Sequence, residues 1–168
     1  MCGSEGVGKS HLCSFLTDQD GFSFRQMHYS INGVELKIAT AFDVKEKKTI
    51  RLLYWDLSGN RCQQDFEIYK EKTRAVFLIY NITDEESFQF CCDLYDNAVS
   101  KMPIKPKILL VGNKIDLESE RRVPTDKAQA FADTNGINFA EVSLKTLSNV
   151  DNLHDMLMKS VSESVVVK

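Results

Sequence analysis

The chain has no apolar run of about 18 residues, so no segment of it is long enough to cross a bilayer as a helix. No signal peptide is visible at its start. Basic residues do not dominate either. Lys and Arg number 21 against 24 Asp and Glu, and a net charge of −3 gives no electrostatic footprint for nucleic acid. The one dense basic run, Lys45-Glu46-Lys47-Lys48, stands between two apolar stretches and reads as a solvated hairpin turn. The three histidines, at 11, 28 and 154, form no grouping with carboxylates, which argues against zinc or a hydrolytic triad. The five cysteines, at 2, 13, 62, 91 and 92, are odd in number and lack metal-ligand spacing. Their usage fits a reducing cytosol, and adjacent Cys91-Cys92 reads as a half-buried helix face. Repeats and low-complexity linkers are absent too.

What the chain does have is alternation. Its 168 residues, 43% hydrophobic, suit one domain with one core over 1–168. Leu12, Phe15 and Leu16 recur at i, i+3 and i+4, one face of a helix. Residues 34–44 and 49–56 read as paired strands about the lysine turn, and 63–72 is polar and helix-like. AVFLIYNI, 75–82, is apolar almost throughout, as a strand buried on both faces should be. Thr83-Asp84-Glu85-Glu86 matches a capping box and starts a helix to about Ser100, stopped by Pro103 and Pro106. KILLVGN, 107–113, is the next buried strand, and 125–135 the next helix. INFAEVS, 137–143, is a further strand, and a last helix begins near Val150. Strands alternating with helices predict an α/β fold, a mostly parallel sheet wrapped by helices on both faces. In such sheets ligands sit at the carboxyl ends of the strands.

Four motifs fall at those ends. Gly3-Ser4-Glu5-Gly6-Val7-Gly8-Lys9-Ser10 fits G-x-x-x-x-G-K-[ST]. Its glycines let backbone N–H groups wrap a phosphate chain, Lys9 supplies a point charge for the outer phosphates, and Ser10 offers Mg²⁺ an oxygen. The helix starting near Lys9 adds its positive end. Alone, this motif says only P-loop nucleotide binder. Asp56-Leu57-Ser58-Gly59 ends the strand begun at Thr49, where an aspartate either holds a Mg²⁺ shell or simply shapes a turn. Asn113-Lys114-Ile115-Asp116 caps KILLVG and chooses the base. A guanine edge presents N1–H and an amino group, two donors that one carboxylate accepts together, whereas adenine has no such pair. Ser143-Leu144-Lys145 ends INFAEVS, where backbone N–H groups would meet the guanine O6.

With these motifs in order, the sequence resembles the Ras-like small GTPases, and within them the Rab family, over essentially its whole length. GSEGVGKS, GVELKI, LLYWDLSG, FLIYNITDEESF, LLVGNKIDL and EVSLKT carry the resemblance. It implies a P-loop NTPase three-layer sandwich of six strands and five helices, with GTP or GDP as ligand and Mg²⁺ as cofactor. It also implies GTP hydrolysis and a cytoplasmic setting in vesicle traffic, peripheral to endomembranes. Carried over residue by residue, Gly6, Val7, Gly8, Lys9, Ser10 and His11 would lie along the phosphates, with Glu5 beside the γ-phosphate. Ser10 would bind Mg²⁺ directly and Asp56 through water, while the Gly59 N–H would sense the γ-phosphate. Asn113, Lys114 and Asp116 would hold the base, with Ser143, Leu144 and Lys145 behind it. Phe24 falls where the family sets an aromatic edge against guanine, although Phe22 is near and either also reads as a loop anchor.

Three departures bear on mechanism. Asn60 stands where the family has a glutamine that orients the attacking water. Its amide is one methylene shorter, and a misplacement of ~1 Å costs ~10²-fold. Glu5 stands where these proteins carry Gly, Ser or Ala; its carboxylate either adds negative charge beside the γ-phosphate or swings out to solvent. The first-switch threonine that closes over Mg²⁺ is replaced, with no gap allowed, by Ile31, which cannot coordinate a metal; Ser30 serves only if the loop shifts by one residue. The second switch, NRCQQDFEIYKEKTR, departs as well. Lys9 and Asn60 are the catalytic candidates, and hydrolysis is expected to be slow. The rival expectation is a non-hydrolysing, GTP-bound interaction module or a degraded remnant; a P-loop ATPase or kinase is opposed by NKID.

Leu36, Trp55 and Tyr69 fall near the family's partner-facing apolar patch, which meets effector, exchange and GTPase-activating proteins. Trp55 reads equally well as core. The chain ends SVSESVVVK and encodes no lipid anchor in these residues. The family's strand order sets the strand before the P-loop between those at 49–56 and 75–82. Here only Met1-Cys2 would supply it, against a usual length of about five residues. The expectation is that part of the natural domain precedes Met1, and that Met1 is an internal methionine of that strand or the start of an alternative transcript.

Overall fold

The computed structural model describes residues 1–17, 29–31, 34–43, 47–57, 59, 62–151, 153 and 156. Its elements are α1 (Lys9–Thr17), β1 (Tyr29–Ile31), β2 (Val34–Asp43), β3 (Lys48–Leu57), α2 (Cys62–Tyr69), β4 (Ala75–Asn81), α3 (Glu85–Asn97), β5 (Lys107–Asn113), α4 (Thr125–Asn135) and β6 (Asn138–Val142). Val150, Asp151, Leu153 and Met156 are helical, where the sequence sets its last helix. The short strand β1 is the one element the apolar pattern does not announce. Lys47 lies in the turn of the β2–β3 hairpin; residues 44–46 lie outside the described residues.

β1, β2 and β3 pair antiparallel, and β4, β5 and β6 pair parallel. The parallel strands run in step, Asn81 opposite Asn113 and Asn113 opposite Val142, so their carboxyl ends finish level. Met1 and Cys2 join the two halves. The Met1 amine donates to the Trp55 carbonyl at 2.7 Å and Leu57 N–H donates to the Met1 carbonyl at 3.3 Å. On the other side, Cys2 N–H donates to Phe77 O and Ile79 N–H donates to Cys2 O, both at 2.8 Å. This two-residue stub occupies the central position that the family's strand order assigns to it.

β4 shows why a run apolar throughout is needed there. Val76, Leu78 and Tyr80 enter one core with Phe88, Cys91 and Leu94 of α3 and Ala128 of α4. Phe77 and Ile79 enter a second core with Leu12 and Leu16 of α1, Tyr54 of β3, and Leu153. Alternate side chains take opposite faces of a strand, so both faces are covered. Each fully buried Leu or Ile contributes ~1.5–3 kcal/mol by leaving water.

Helix ends follow local chemistry, with one correction. α3 is capped by Asp84, whose carboxylate accepts from Glu86 N–H and Ser87 N–H; Thr83 instead donates its hydroxyl to Asn81 Oδ1. The aspartate sits one residue nearer the first turn and satisfies two of its free N–H groups, so it wins over the threonine capping box. α3 ends at Asn97 and a tighter turn covers Val99–Lys101, short of the prolines.

Candidate functional site

The loop from Gly3 to Gly8 leaves the centre of the sheet at Cys2 and feeds α1, whose first hydrogen bond runs from Leu12 N–H to Gly8 O at 2.9 Å. Lys9 is buried, and its Nζ donates to Ser4 O at 2.6 Å. Ser10 Oγ donates to Asp56 Oδ2 at 2.5 Å, linking α1 to the end of β3. The other carboxylate oxygen, Asp56 Oδ1, is buried and accepts no hydrogen bond among the described residues. Leaving such an oxygen unmet costs ~1–3 kcal/mol. A hard divalent cation takes oxygen donors of this type, so Ser10 and Asp56 fit a Mg²⁺ ion. Glu5, Gly6, Ser10 and His11 are exposed, and Val7 is buried beneath them. A Cβ placed on Gly59 would overlap Glu5 N and lie 2.7 Å from Glu5 Cα, so the backbone after β3 rests directly on the loop.

The opposite end of the row is built from β5 and β6. Asn113 is buried; its amide donates to Val7 O at 2.8 Å and its Oδ1 accepts from Leu144 N–H at 3.2 Å. One side chain therefore ties the phosphate-type loop to the turn after β6. Gly8 has to be glycine for this: its φ is +105° and an added Cβ would strike the Asn113 amide nitrogen. Lys114 is left-handed at φ 71°, which turns the chain so that Asp116 faces the β6 end. Ser143 Oγ donates to Asp116 Oδ1 at 2.6 Å and accepts from Thr146 N–H, while Lys145 Nζ stands 3.8 Å from Asp116 Oδ2. The Ser143 hydroxyl, with Lys145 adding to it, holds the Asp116 carboxyl below its usual range. It is therefore an ionised acceptor at neutral pH.

A family model described as the Ras family matches residues 1–163. The chain belongs to the Ras family. Among similar proteins, Ras-related protein RABD2a of Arabidopsis thaliana is 34% identical over 164 residues, 97% of this chain and 78% of its own length. Ras-related protein Rab-13 of Canis lupus familiaris is 33% identical over 162 residues, 96% of this chain and 77% of its own. GTP-binding protein YPTM2 of Zea mays is 33% identical over 164 residues, 97% of this chain and 78% of its own.

Two features of this Ras-family site carry no motif. Backbone carbonyls of Ser4 and Val7 receive Lys9 and Asn113, and a carbonyl leaves no trace in residue type. Arg121 braces the end built from β5 and β6: Nη1 and Nη2 donate to Glu141 Oε1 and Oε2 at 2.7 and 3.0 Å, and Nε and Nη2 donate to Glu118. A two-pronged guanidinium of this kind fixes the segment after Asp116 against β6. The i, i+3 spacing of Glu118 and Arg121 was a readable signal; Glu141 was not.

Leu36 lies opposite Trp55 across the β2–β3 pairing, and Trp55 stacks on Tyr69 with ring centroids 4.5 Å apart. All three are half-buried, and Trp55 and Tyr69 pack against the core, which accords with the core reading of Trp55. Ser30 and Ile31 pair with Glu35 and Val34. Phe24 and Asn60 lie outside the described residues. A small cavity bounded by Phe77, Leu109, Asn138 and Met156 is at the amino ends of the parallel strands, away from all four motifs.

Proposed function

We propose that this Ras-family protein is a guanine-nucleotide switch of Rab type, one small-GTPase domain over 1–168, that hydrolyses GTP slowly. The observation that carries the reading is Asn113, which bonds the phosphate-type loop and the turn after β6 at once. A ligand spanning the row would meet phosphate donors at one end and a base acceptor at the other. Asp116, kept ionised by Ser143, would accept the two guanine donors, and Lys145 would offer its backbone N–H behind it, next to Leu144, whose own N–H is held by Asn113 Oδ1. Lys9 spends one of its three donors on Ser4 O, leaving two for phosphate oxygens. Gly6, Val7 and Gly8 lie in the same loop, His11 follows in α1, and Phe24 would stack beside the base.

Ser10 and Asp56 would hold Mg²⁺, which when bound neutralises charge on the β- and γ-phosphate oxygens. Asn60 would orient the attacking water less well than a glutamine, and Glu5 would oppose charge build-up beside it. Leu36, Trp55 and Tyr69 would meet effector, exchange or activating proteins. By the resemblance to the Rab family, the setting would be vesicle traffic, cytoplasmic and peripheral to endomembranes. A second reading, nucleotide binding without hydrolysis, is favoured by β1: substituting Ser30 for Ile31 requires the β1–β2 pairing to slip by one residue. Competition binding of GDP, GTP and ATP tests the first claim, with equal affinities overturning it. Single-turnover GTP hydrolysis with and without Mg²⁺ separates the two readings. A Mg²⁺-dependent rate supports the switch; no phosphate released from tightly bound GTP supports the rival.

A further inference from the structure

The amino ends of the parallel strands, opposite the four motifs, carry a charge pattern that the nucleotide reading does not use. Asn81 and Asn113 finish β4 and β5 beside the site, while Ala75 and Lys107 begin them at the far side. There Lys107 N–H donates to Arg74 O at 2.9 Å, so the loop ahead of β4 meets the loop ahead of β5. The two loops gather Lys72, Arg74, Lys101, Lys105 and Lys107, all exposed. Lys72, Arg74, Lys101 and Lys105 enter no ion pair among the described residues. Residues 97–113 hold no acid, in a chain whose acids outnumber its bases 24 to 21. Of the acids that flank the loops, Glu67 is taken by Lys70, which leaves Glu71 and Asp96. The second loop is also built as a tip. Met102 and Pro106 are buried and root it, and between them Pro103, Ile104 and Lys105 are exposed, Ile104 by 52%. Met102 N–H donates to Val99 O and Lys105 Nζ to Ser100 O, folding the loop back on itself. Prolines on either side of Ile104-Lys105 restrict the backbone, so little order has to be gained on contact.

We propose that this face docks on an anionic phospholipid bilayer, with Lys72, Arg74, Lys101 and Lys105 against the headgroups and Ile104 inserted among them. The chemistry favours a bilayer over a nucleic acid or an acidic protein segment. An apolar side chain held out between Lys101 and Lys105 gains nothing from phosphates alone. A bilayer interface takes both parts, the charge at the headgroups and the methyl groups at the acyl boundary. The molecule as a whole is acidic, with a net charge of −3, so an anionic surface repels it except at this face. That contrast fixes its orientation. Docked this way, the carboxyl ends of β4, β5 and β6 point away from the bilayer and the four motifs stay open to solution. The inference goes beyond the nucleotide reading and does not depend on it, because the two use opposite ends of the same strands.

The full chain is sedimented with vesicles of phosphatidylcholine alone and with vesicles of phosphatidylcholine and phosphatidylserine. The expected result is binding to the second kind only, falling as salt is raised, since salt screens the attraction. Lys72→Ala, Lys101→Ala and Lys105→Ala should each weaken that binding about fivefold, and Ile104→Ser about tenfold. Lys127→Ala should leave it unchanged, because Lys127 pairs with Glu85 at the other end of α3. Melting curves show that each variant is folded. Equal binding to both kinds of vesicle, or none by a folded wild-type chain, overturns the proposal. So does binding to anionic vesicles that the Lys101 and Ile104 variants leave intact. A chain that ignores vesicles but binds a polyglutamate peptide, and loses it with Lys101→Ala, overturns the bilayer as the partner and gives the face to an acidic protein.

Discussion

At the end of the site built from β5 and β6, the polar side chains are tied to one another: Asp116 to Ser143, Asn113 to Val7 and Leu144, Arg121 to Glu118 and Glu141. At the phosphate end the arrangement is less closed. Asp56 keeps a buried oxygen without a hydrogen bond among the described residues, and Glu5, which departs from the family pattern, is exposed. The difference separates holding a ligand from transforming it. A preorganised, satisfied constellation costs little to keep and recognises a base in any state of the reaction. Unmet groups are where a metal and a transferring phosphoryl group would gain most, and where small displacements lose most.

The strongest way to break the comparison is at Asp116. Asp116→Asn replaces the carboxylate that would accept two guanine donors. GDP affinity should fall by about 10⁴-fold, as when a site built for hydrogen bonds loses its partner. Xanthosine diphosphate should bind instead, because its C2 carbonyl accepts the new amide. Titration with both nucleotides checks it, and an unchanged preference for GDP would remove Asp116 from base recognition.

Next in size is the seam between the two halves. Cys2→Pro removes the N–H that bonds Phe77 O and should cost about 3 kcal/mol, because it leaves a buried carbonyl unmet and sets a proline ring in the middle of the sheet. That is a drop of roughly 6–12 °C in melting temperature for a chain of this size. If the parallel strands β4–β6 hold independently, far-UV and tyrosine signals should separate into two transitions; a single unchanged melt would mean the stub contributes little.

Gly8→Ala tests the link between the ends rather than either end. The added methyl meets the Asn113 amide at a backbone conformation alanine rarely takes. The expected loss is about 2 kcal/mol of stability, read by chemical denaturation. Nucleotide affinity should fall with it, since the loop Gly3–Gly8 and the turn after β6 lose their shared side chain.

Smaller again is the hydrolytic step. Asn60→Gln should raise the single-turnover rate roughly 10-fold, a barrier change of ~1.4 kcal/mol, without altering GDP affinity. Glu5→Gly should raise it further. Rates unmoved by either substitution would point to Ile31 as the block.

The smallest effect is that of pH. Ser143 and Lys145 hold the folded Asp116 carboxyl below its unfolded value, so its contribution is present above the ordinary carboxylate range. That contribution is lost as pH falls through the lowered folded value. GDP affinity should decline over the same acidic window, and Ser143→Ala should move the decline toward neutral pH. A profile insensitive to Ser143 would mean that the hydroxyl does not tune the carboxylate.

Much of this was readable from residue order. The run 75–82 reads as a strand covered on both sides, and β4 fills two cores from alternate residues. Gly136 closes α4 in the left-handed form, where the helical pattern stops. The capping box was misread because Thr83 and Asp84 are both good caps, and only backbone direction decides which one faces the free N–H groups. β1 was missed because three residues carry too little periodicity to register.

The sequence by itself determined which motifs exist, their order, and the strand or helix each one ends, because periodicity and turn chemistry act over a few neighbouring residues. Tertiary structure alone decided which groups touch. Ser10 meets Asp56 across 46 residues, Asn113 meets Val7 across 106, and Cys2 and Cys62 enter one core. Those meetings follow from the in-step register of β4, β5 and β6 and from the stub that seats the loop between β3 and β4. A one-residue slip in any pairing would turn the same residues to the other face, and nothing in local sequence forbids it; burial of both faces does.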